Sequence, residues 1–173
     1  MFRRFLFAGL ASLVFAFGAM ADQKVSEEHQ FEANFPGTAE QLVKPFGSNG
    51  KVVILSSNDD DRLFMMGAAM IPDAPLSPEQ YKSHAREFIG GATGNLKNSK
   101  IVKEGDLKPN DETRVGYAYM VQHDNGVQFH WVTIENGKLY FVTVHANSKE
   151  AMKTDVVKRF IESAKVRRAE SGK

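Results

Sequence analysis

The sequence has no cysteine among its 173 residues. Disulfide bonds, a thiol nucleophile and a lipid on an N-terminal cysteine are therefore excluded, and stability must come from packing alone. Its 6 prolines and 14 glycines are dispersed, so the chain is not of low complexity. The sequence also lacks an excess of charge of either sign, with 22 Lys+Arg against 21 Asp+Glu. Such balance offers no strong electrostatic attraction for nucleic acid or anionic lipid.

The N-terminus carries the pattern of a secretory signal. Arg3 and Arg4 precede an apolar stretch at residues 5–17, and Ala19-Met20-Ala21 is a small-x-small cleavage site. An apolar stretch of 13 residues is shorter than the roughly 20 that a membrane-spanning helix requires. We therefore expect cleavage before Asp22 and a soluble periplasmic or secreted product without stable membrane insertion, rather than a retained anchor.

The remaining length fits one compact domain of roughly 150 residues. We predict a signal peptide at residues 1–21, a flexible leader at 22–29, a single α+β domain at 30–168 and a tail at 169–173.

The first part of the domain carries the patterns of three strands. Phe31, Ala33 and Phe35 alternate with polar residues and predict a strand. Apolar runs at residues 51–56 and 63–71, separated by an acidic turn, predict two neighbouring strands.

A helix signal follows these strands. Ser77 and Gln80 form a capping-box pattern with Pro78 between them, and predict a helix that runs to about Ile89. Its apolar stripe must face a core, and the glycines that follow favour a left-handed cap. The stripe consists of Tyr81, Ala85, Phe88 and Ile89.

Two Asn-Gly pairs predict a meander of three strands. A two-residue type I′ turn places Asp124 opposite Val127 in the first hairpin and Glu135 opposite Lys138 in the second. Counting outward leaves both faces largely apolar, with Trp131 on one face and Phe141 on the other. Such a sheet needs a cover on each side.

The sequence offers two covers for this sheet. One is the helix after Ser77, and the other is a predicted last helix at residues 148–168, whose apolar stripe is also pronounced. The predicted fold class is therefore α+β, with a central antiparallel sheet sandwiched between helices as three α/β/α layers.

Three histidines fall on one face of the predicted meander. Counting from the turns puts His123, Gln128 and His145 in one row, with His130 diagonal to both histidines at about 7 Å. Three imidazoles with an open fourth position suit zinc or another borderline divalent ion. The alternative is structural, with His123 and His145 at strand ends and His130 hydrogen-bonded at the edge of the core.

The other groups of residues that could carry chemistry favour structural roles. The sequence has no Gly-x-Ser-x-Gly elbow, and the acidic turn at residues 59–61 lacks the spacing of a calcium loop. The meander is rich in aromatic residues that either pack the core or line a pocket or partner surface. Lys138 is the one basic residue between Gly116 and Tyr140, which argues against binding of nucleic acid.

Three segments together resemble the PsbP-like superfamily. They are residues 31–37, reading FEANFPG, residues 137–144, reading GKLYFVTV, and residues 160–165, reading FIESAK. That superfamily includes the extrinsic photosystem II subunit and exported bacterial proteins related to DcrB. The resemblance implies a central antiparallel sheet flanked by helices and a binding or assembly-assisting role, and carries across no catalytic residues.

The expected function is therefore that of an exported, soluble, non-catalytic binding or assembly-assisting protein of the cell envelope. Its partner would be an envelope protein or a small ligand, and no cofactor is expected. The alternative is a metal-binding protein or metal-dependent enzyme that uses His123, His130 and His145, with zinc as the candidate ion.

Overall fold

The computed structural model describes residues 21–26, 30–46, 50–70, 77–107, 116–135 and 137–167. Its elements follow in chain order: β1 (Ala21–Ser26), β2 (Phe31–Pro36), β3 (Glu40–Phe46), β4 (Gly50–Asp59), β5 (Arg62–Met70), α1 (Pro78–Thr93), β6 (Lys100–Leu107), β7 (Gly116–His123), β8 (Gly126–Glu135), β9 (Lys138–Ala146), α2 (Lys149–Met152), α3 (Asp155–Ser163) and β10 (Lys165–Val166).

The main feature of the fold is a seven-stranded antiparallel sheet in the order β3-β4-β5-β9-β8-β7-β6. The apolar runs predicted as neighbouring strands are β4 and β5, and this pairing is confirmed. Residues 38–46, which gave no clear sequence signal, contain the edge strand β3. A second sheet, which the sequence analysis did not anticipate, has the order β1-β2-β10.

Both faces of the large sheet bury apolar side chains, as predicted. On one face the core includes Trp131 and Phe64, covered by β2 and α3. Phe160 of α3 contacts Phe64 and Phe35 with ring centroids 5.1 and 5.0 Å apart. On the other face Phe141 packs in a second core. The fold is α+β with helices on both sides of the sheet, which confirms the predicted class.

Helix α1 covers the second face. Both hydrogen bonds of its capping box are present between Ser77 and Gln80, so the predicted start is confirmed. Ala85 and Ile89 of the predicted stripe are buried, and Phe88 contacts Phe141 at 4.8 Å between ring centroids. The helix continues to Thr93, and its C-cap residue Gly94 has a right-handed backbone, so the prediction of a left-handed glycine cap at its end was wrong.

The predicted last helix at residues 148–168 was wrong as a single element. The chain forms α2 and α3 instead, because Thr154 between them has an extended backbone. The Thr154 hydroxyl donates to the Ala151 carbonyl and accepts from Arg62, which fixes this break. After Ser163 the chain becomes β10, which pairs with β2.

The predicted leader at residues 22–29 is partly a strand, since β1 pairs with β2 along its whole length. Residues 1–20 of the predicted signal peptide and the predicted tail at 169–173 lie outside the described residues.

Candidate functional site

The hairpin between β7 and β8 sets the positions of the histidines, and its predicted register was wrong by two residues. Asp124 was expected opposite Val127, but His123 pairs with Gly126. Asp124 and Asn125 form the turn, and the positive φ of 138° falls on Gly126 after them. A type I′ turn needs positive φ at both central residues, and this hairpin does not use it. A shift of two residues leaves every side chain on its predicted face.

The opposite hairpin, between β8 and β9, has the predicted register with Glu135 opposite Lys138. A side chain does not fit at position 126, because a Cβ on Gly126 would lie 2.2 Å from the Ala146 carbonyl oxygen. Gly126 lies opposite His123 and has no side chain. The His123 ring can therefore extend across β8 toward β9. The ring centroids of His123 and His145 are 5.1 Å apart.

His130 lies in the core beside this pair and is almost fully buried, with 1% of its surface exposed. Its Nδ1 is 3.0 Å from the Thr143 hydroxyl, and its Nε2 is 3.0 Å from Oε1 of Gln128. The amide nitrogen of Gln128 in turn lies 3.4 Å from Nδ1 of His145. Thr143, His130, Gln128 and His145 thus form one chain of hydrogen bonds across β8 and β9.

The partners in this chain assign the imidazole protons. Since Oε1 of Gln128 can only accept, Nε2 of His130 carries a proton and Nδ1 accepts from Thr143. The Gln128 amide donates to Nδ1 of His145, and the backbone N–H of Asn125 donates to Nδ1 of His123 at 3.2 Å. In this arrangement each ring accepts a hydrogen bond at Nδ1, which leaves Nε2 as the nitrogen that carries a proton.

Burial keeps the inner histidines uncharged at neutral pH. Desolvation lowers the pKa of His130 to about 4. Desolvation also lowers the pKa of His123, with a smaller contribution from His145 and an opposing one from Asp124. A neutral His130 held at both nitrogens is suited to a structural polar network rather than to proton transfer at neutral pH.

The structure brings together two of the three predicted metal ligands, His123 and His145, and places Gln128 between His145 and His130. Within the described residues there is no group of three His, Asp or Glu side chains arranged to hold a metal ion. Nε2 of His123 is buried and has no hydrogen-bond partner in this part of the chain. Zinc binding by the histidines stays a prediction.

A groove that the sequence analysis missed lies between α1 and the edge strand β6; we call it the β6 groove. It has a volume of about 510 Å³ and is lined by Arg86, Ile101, Val102, Lys103 and Glu104. The pairing of β6 with β7 is interrupted by a bulge between Ile101 and Lys103. A bulge redirects side chains, so the successive residues Ile101 and Val102 both line this groove instead of facing opposite sides.

The β6 groove combines apolar and charged surface. Ile101 and Val102 are each 44% exposed. Arg86 of α1 forms an ion pair with Glu104, and this hydrogen bond raises the pKa of Arg86. Nearby, burial raises the pKa of the Tyr119 hydroxyl above its ordinary value. The sequence signal for this site was two adjacent apolar residues between Lys100 and Lys103 in a strand.

A smaller cavity of about 260 Å³ lies on the opposite side of β6, where Met120 and Phe129 contribute to the lining. The edge strand is thus bordered by a recess on each face. The aromatic residues of the meander were predicted either to pack the core or to line a pocket or partner surface. Trp131, Tyr140 and Phe141 are buried, which confirms core packing for these three. Tyr119 is also buried, but it contributes to the lining of this cavity.

None of the described helices is long and apolar enough to cross a membrane. No protein-family model matches the sequence, and no curated protein matches it. Among solved structures the chain is similar to the solution structure of cyanobacterial PsbP (CyanoP) from Synechocystis sp. PCC 6803, with a TM-score of 0.61 and 13% sequence identity. The similarity covers 91% of this chain and 98% of the cyanobacterial chain. The fold of this chain is therefore PsbP-like.

Proposed function

We propose that this chain is an exported, non-catalytic binding module that engages a protein of the cell envelope through the β6 groove. The observation that carries the proposal is the bulge that points Ile101 and Val102 into one groove on an open sheet edge. These two adjacent apolar residues are both nearly half exposed. A partner that removes them from water is stabilised by the burial of their apolar surface.

The shape of the β6 groove favours a protein segment over a small molecule. Sites for small ligands are concave and cover most of the ligand surface. The β6 groove instead runs along a strand whose residues 101–106 are all exposed. An extended segment laid beside β6 would bury Ile101 and Val102, and the ion pair of Arg86 with Glu104 would fix its orientation.

Export is the part of the proposal that rests on the N-terminal signal pattern. The test is cell fractionation followed by mass spectrometry of the intact protein. We expect a product that begins at Asp22 and is released with the periplasmic or extracellular fraction. An uncleaved chain in the cytoplasm would contradict export. The relation to exported proteins of the DcrB type stays a prediction.

The partner is tested by pull-down from envelope extract with the mature protein and with matched variants. Ile101→Asp and Val102→Asp place a charge in the β6 groove, and Met70→Asp places one on β5 at a side chain that is 54% exposed. We expect a partner that is retained by the parent and by Met70→Asp but lost with both groove variants. Capture that survives Ile101→Asp and Val102→Asp, or that Met70→Asp abolishes equally, would reject the groove as the binding surface.

Metal binding is a second candidate, supported by the 5.1 Å between the ring centroids of His123 and His145. It requires these rings to give up the proton on Nε2, because a metal ion binds an unprotonated ring nitrogen. The test is elemental analysis of protein purified without a histidine tag. Stoichiometric zinc, copper or nickel that is lost in His123→Ala, His130→Ala and His145→Ala would support it. Metal below about a tenth of an equivalent would remove it.

A further inference from the structure

At the other edge of the large sheet, no described strand lies outside β3, which carries apolar residues on both of its faces. Its residues 40–45 are all exposed, with Leu42 at 43% and Val43 at 50%. Adjacent residues of a strand point to opposite faces, so β3 extends beyond the cover of the helices on either side. In the described part of the chain β3 pairs with β4 alone. Its outer backbone groups are a template for another strand.

The sequence of β3 is complementary to itself when read in the opposite direction. If two copies pair antiparallel with Leu42 opposite its equivalent, Glu40 of each copy lies opposite Lys44 of the other. The same register places Gln41 opposite Val43 on the reverse face. The result is two ion pairs that flank an apolar contact, all on the face where Leu42 neighbours Ile54 of β4.

Neighbouring registers lack this match. Moving the two-fold axis to Val43 places Lys44 opposite Leu42, and moving it to Gln41 places Glu40 opposite Leu42. Each alternative leaves the charges without opposite partners. A lysine on an edge strand normally discourages pairing with other chains, but here it specifies one register with a second copy.

We propose that the partner of β3 is a second copy of this chain, in a two-fold dimer whose β3 strands pair antiparallel and join the two sheets. The two-fold axis runs perpendicular to the sheet, so both α1 helices lie on the same side. The two β6 edges then lie at opposite ends of the joined sheet. Because β3 spans only about 20 Å, the interface is small and the dimer dissociates on dilution.

The test is sedimentation velocity of the mature full-length protein over a range of about 1 to about 300 µM. We expect a monomer–dimer equilibrium for the parent. In each of the variants Glu40→Lys and Lys44→Glu, two pairs of like charges face each other across the dimer interface. Each variant should raise the dissociation constant of the dimer by about tenfold or more. Lys100→Glu, a reversal on the opposite sheet edge, is the matched control and should leave the dissociation constant unchanged.

Two combinations separate specific pairing from a general effect of charge. The double variant Glu40→Lys/Lys44→Glu is again self-complementary and should regain the parent's dissociation constant. A mixture of the single variants Glu40→Lys and Lys44→Glu should form heterodimers that neither variant forms alone. A monomer at every concentration, or a dimer that ignores both single reversals, would overturn the proposal. Because the β3 variants leave the β6 groove unaltered, either result is independent of whether the groove binds a partner.

Discussion

Trp131 and Phe141 lie on adjacent strands with their rings on opposite faces of the large sheet, each with only 3% of its surface exposed. Trp131 belongs to the core beneath β2 and α3, and Phe141 to the core beneath α1. A sheet that is sealed on both faces leaves its edges as the accessible strand surfaces. These edges are the strands β6 and β3.

Removing the Trp131 ring should destabilise the protein strongly. Trp131→Ala leaves a cavity in the first core, and we expect the free energy of unfolding to fall by about 3–5 kcal/mol. Chemical denaturation of the parent and the variant measures the difference. Met70→Ala, at a site that is 54% exposed, is the control and should change stability by under about 0.5 kcal/mol. A loss below about 1 kcal/mol for Trp131→Ala would mean that this face is open to solvent.

Stability should decline in mild acid because of His130. Its pKa is about 4 in the folded protein against 6.5 for the free side chain, so the unfolded chain binds a proton first as the pH falls. The stabilisation is complete above pH 6.5 and is lost toward pH 4, by about 3 kcal/mol for this fully buried ring. Unfolding free energies measured by denaturation across this pH range test the effect.

Two variants assign the acid sensitivity to His130. His130→Gln removes this titrating group and should reduce the pH dependence, and the part that remains is expected from His123, whose pKa is also lowered. His84→Gln, at a partly exposed histidine on α1 outside this network, is the comparison variant. If His130→Gln retains the parent's slope, other groups account for it and the role assigned to His130 is incorrect.

The second hairpin depends on Gly137, which has a φ of 74°. A β-branched residue rarely adopts such a backbone, so Gly137→Val should lower the melting temperature. Gly137→Asn is the matched control, because asparagine tolerates this conformation and should retain most of the stability. A Gly137→Val variant that melts like the parent would contradict the register of β8 and β9.

The capping box of α1 should contribute measurably to stability. The Ser77 hydroxyl accepts from the Gln80 backbone, and the Gln80 side chain accepts from the Ser77 backbone. Ser77→Ala should therefore cost about 1 kcal/mol in the free energy of unfolding. Ser83→Ala, inside the same helix, loses only an exposed contact to Glu87 at 3.5 Å and is the comparison. Equal effects of the two substitutions would argue against the cap.

The sequence predicted the faces of the sheet better than its pairing. Trp131 and Phe141 were placed on the correct sides because the register between β8 and β9 was predicted correctly. The error of two residues between β7 and β8 changed no face, because side chains alternate with a period of two. The partner of His123 depended on which residues form the turn. The predicted type I′ turn requires a positive φ at both Asn125 and Gly126, and of these two residues only Gly126 has one. That choice involves the close approach of Gly126 to Ala146 from β9, which no local pattern encodes.

The candidate site was harder to predict than the core for a related reason. His123 and His145 lie close together, as the histidine pattern indicated. The sequence placed Gln128 in the same row as these histidines but did not show that its side chain hydrogen-bonds to both His145 and His130. The β6 groove depends on a bulge at Val102 and on Arg86 from a distant helix. Both are tertiary features that become visible only when the strands are paired.

The most direct test of a sheet with sealed faces and open edges is amide hydrogen exchange, resolved by residue, in dilute mature protein. We expect the amides of the central strand β9 to exchange only through global unfolding, and the outward amides of β6 to exchange faster by orders of magnitude. Exchange from β6 as slow as from β9 would mean that this edge is covered, and would contradict the account.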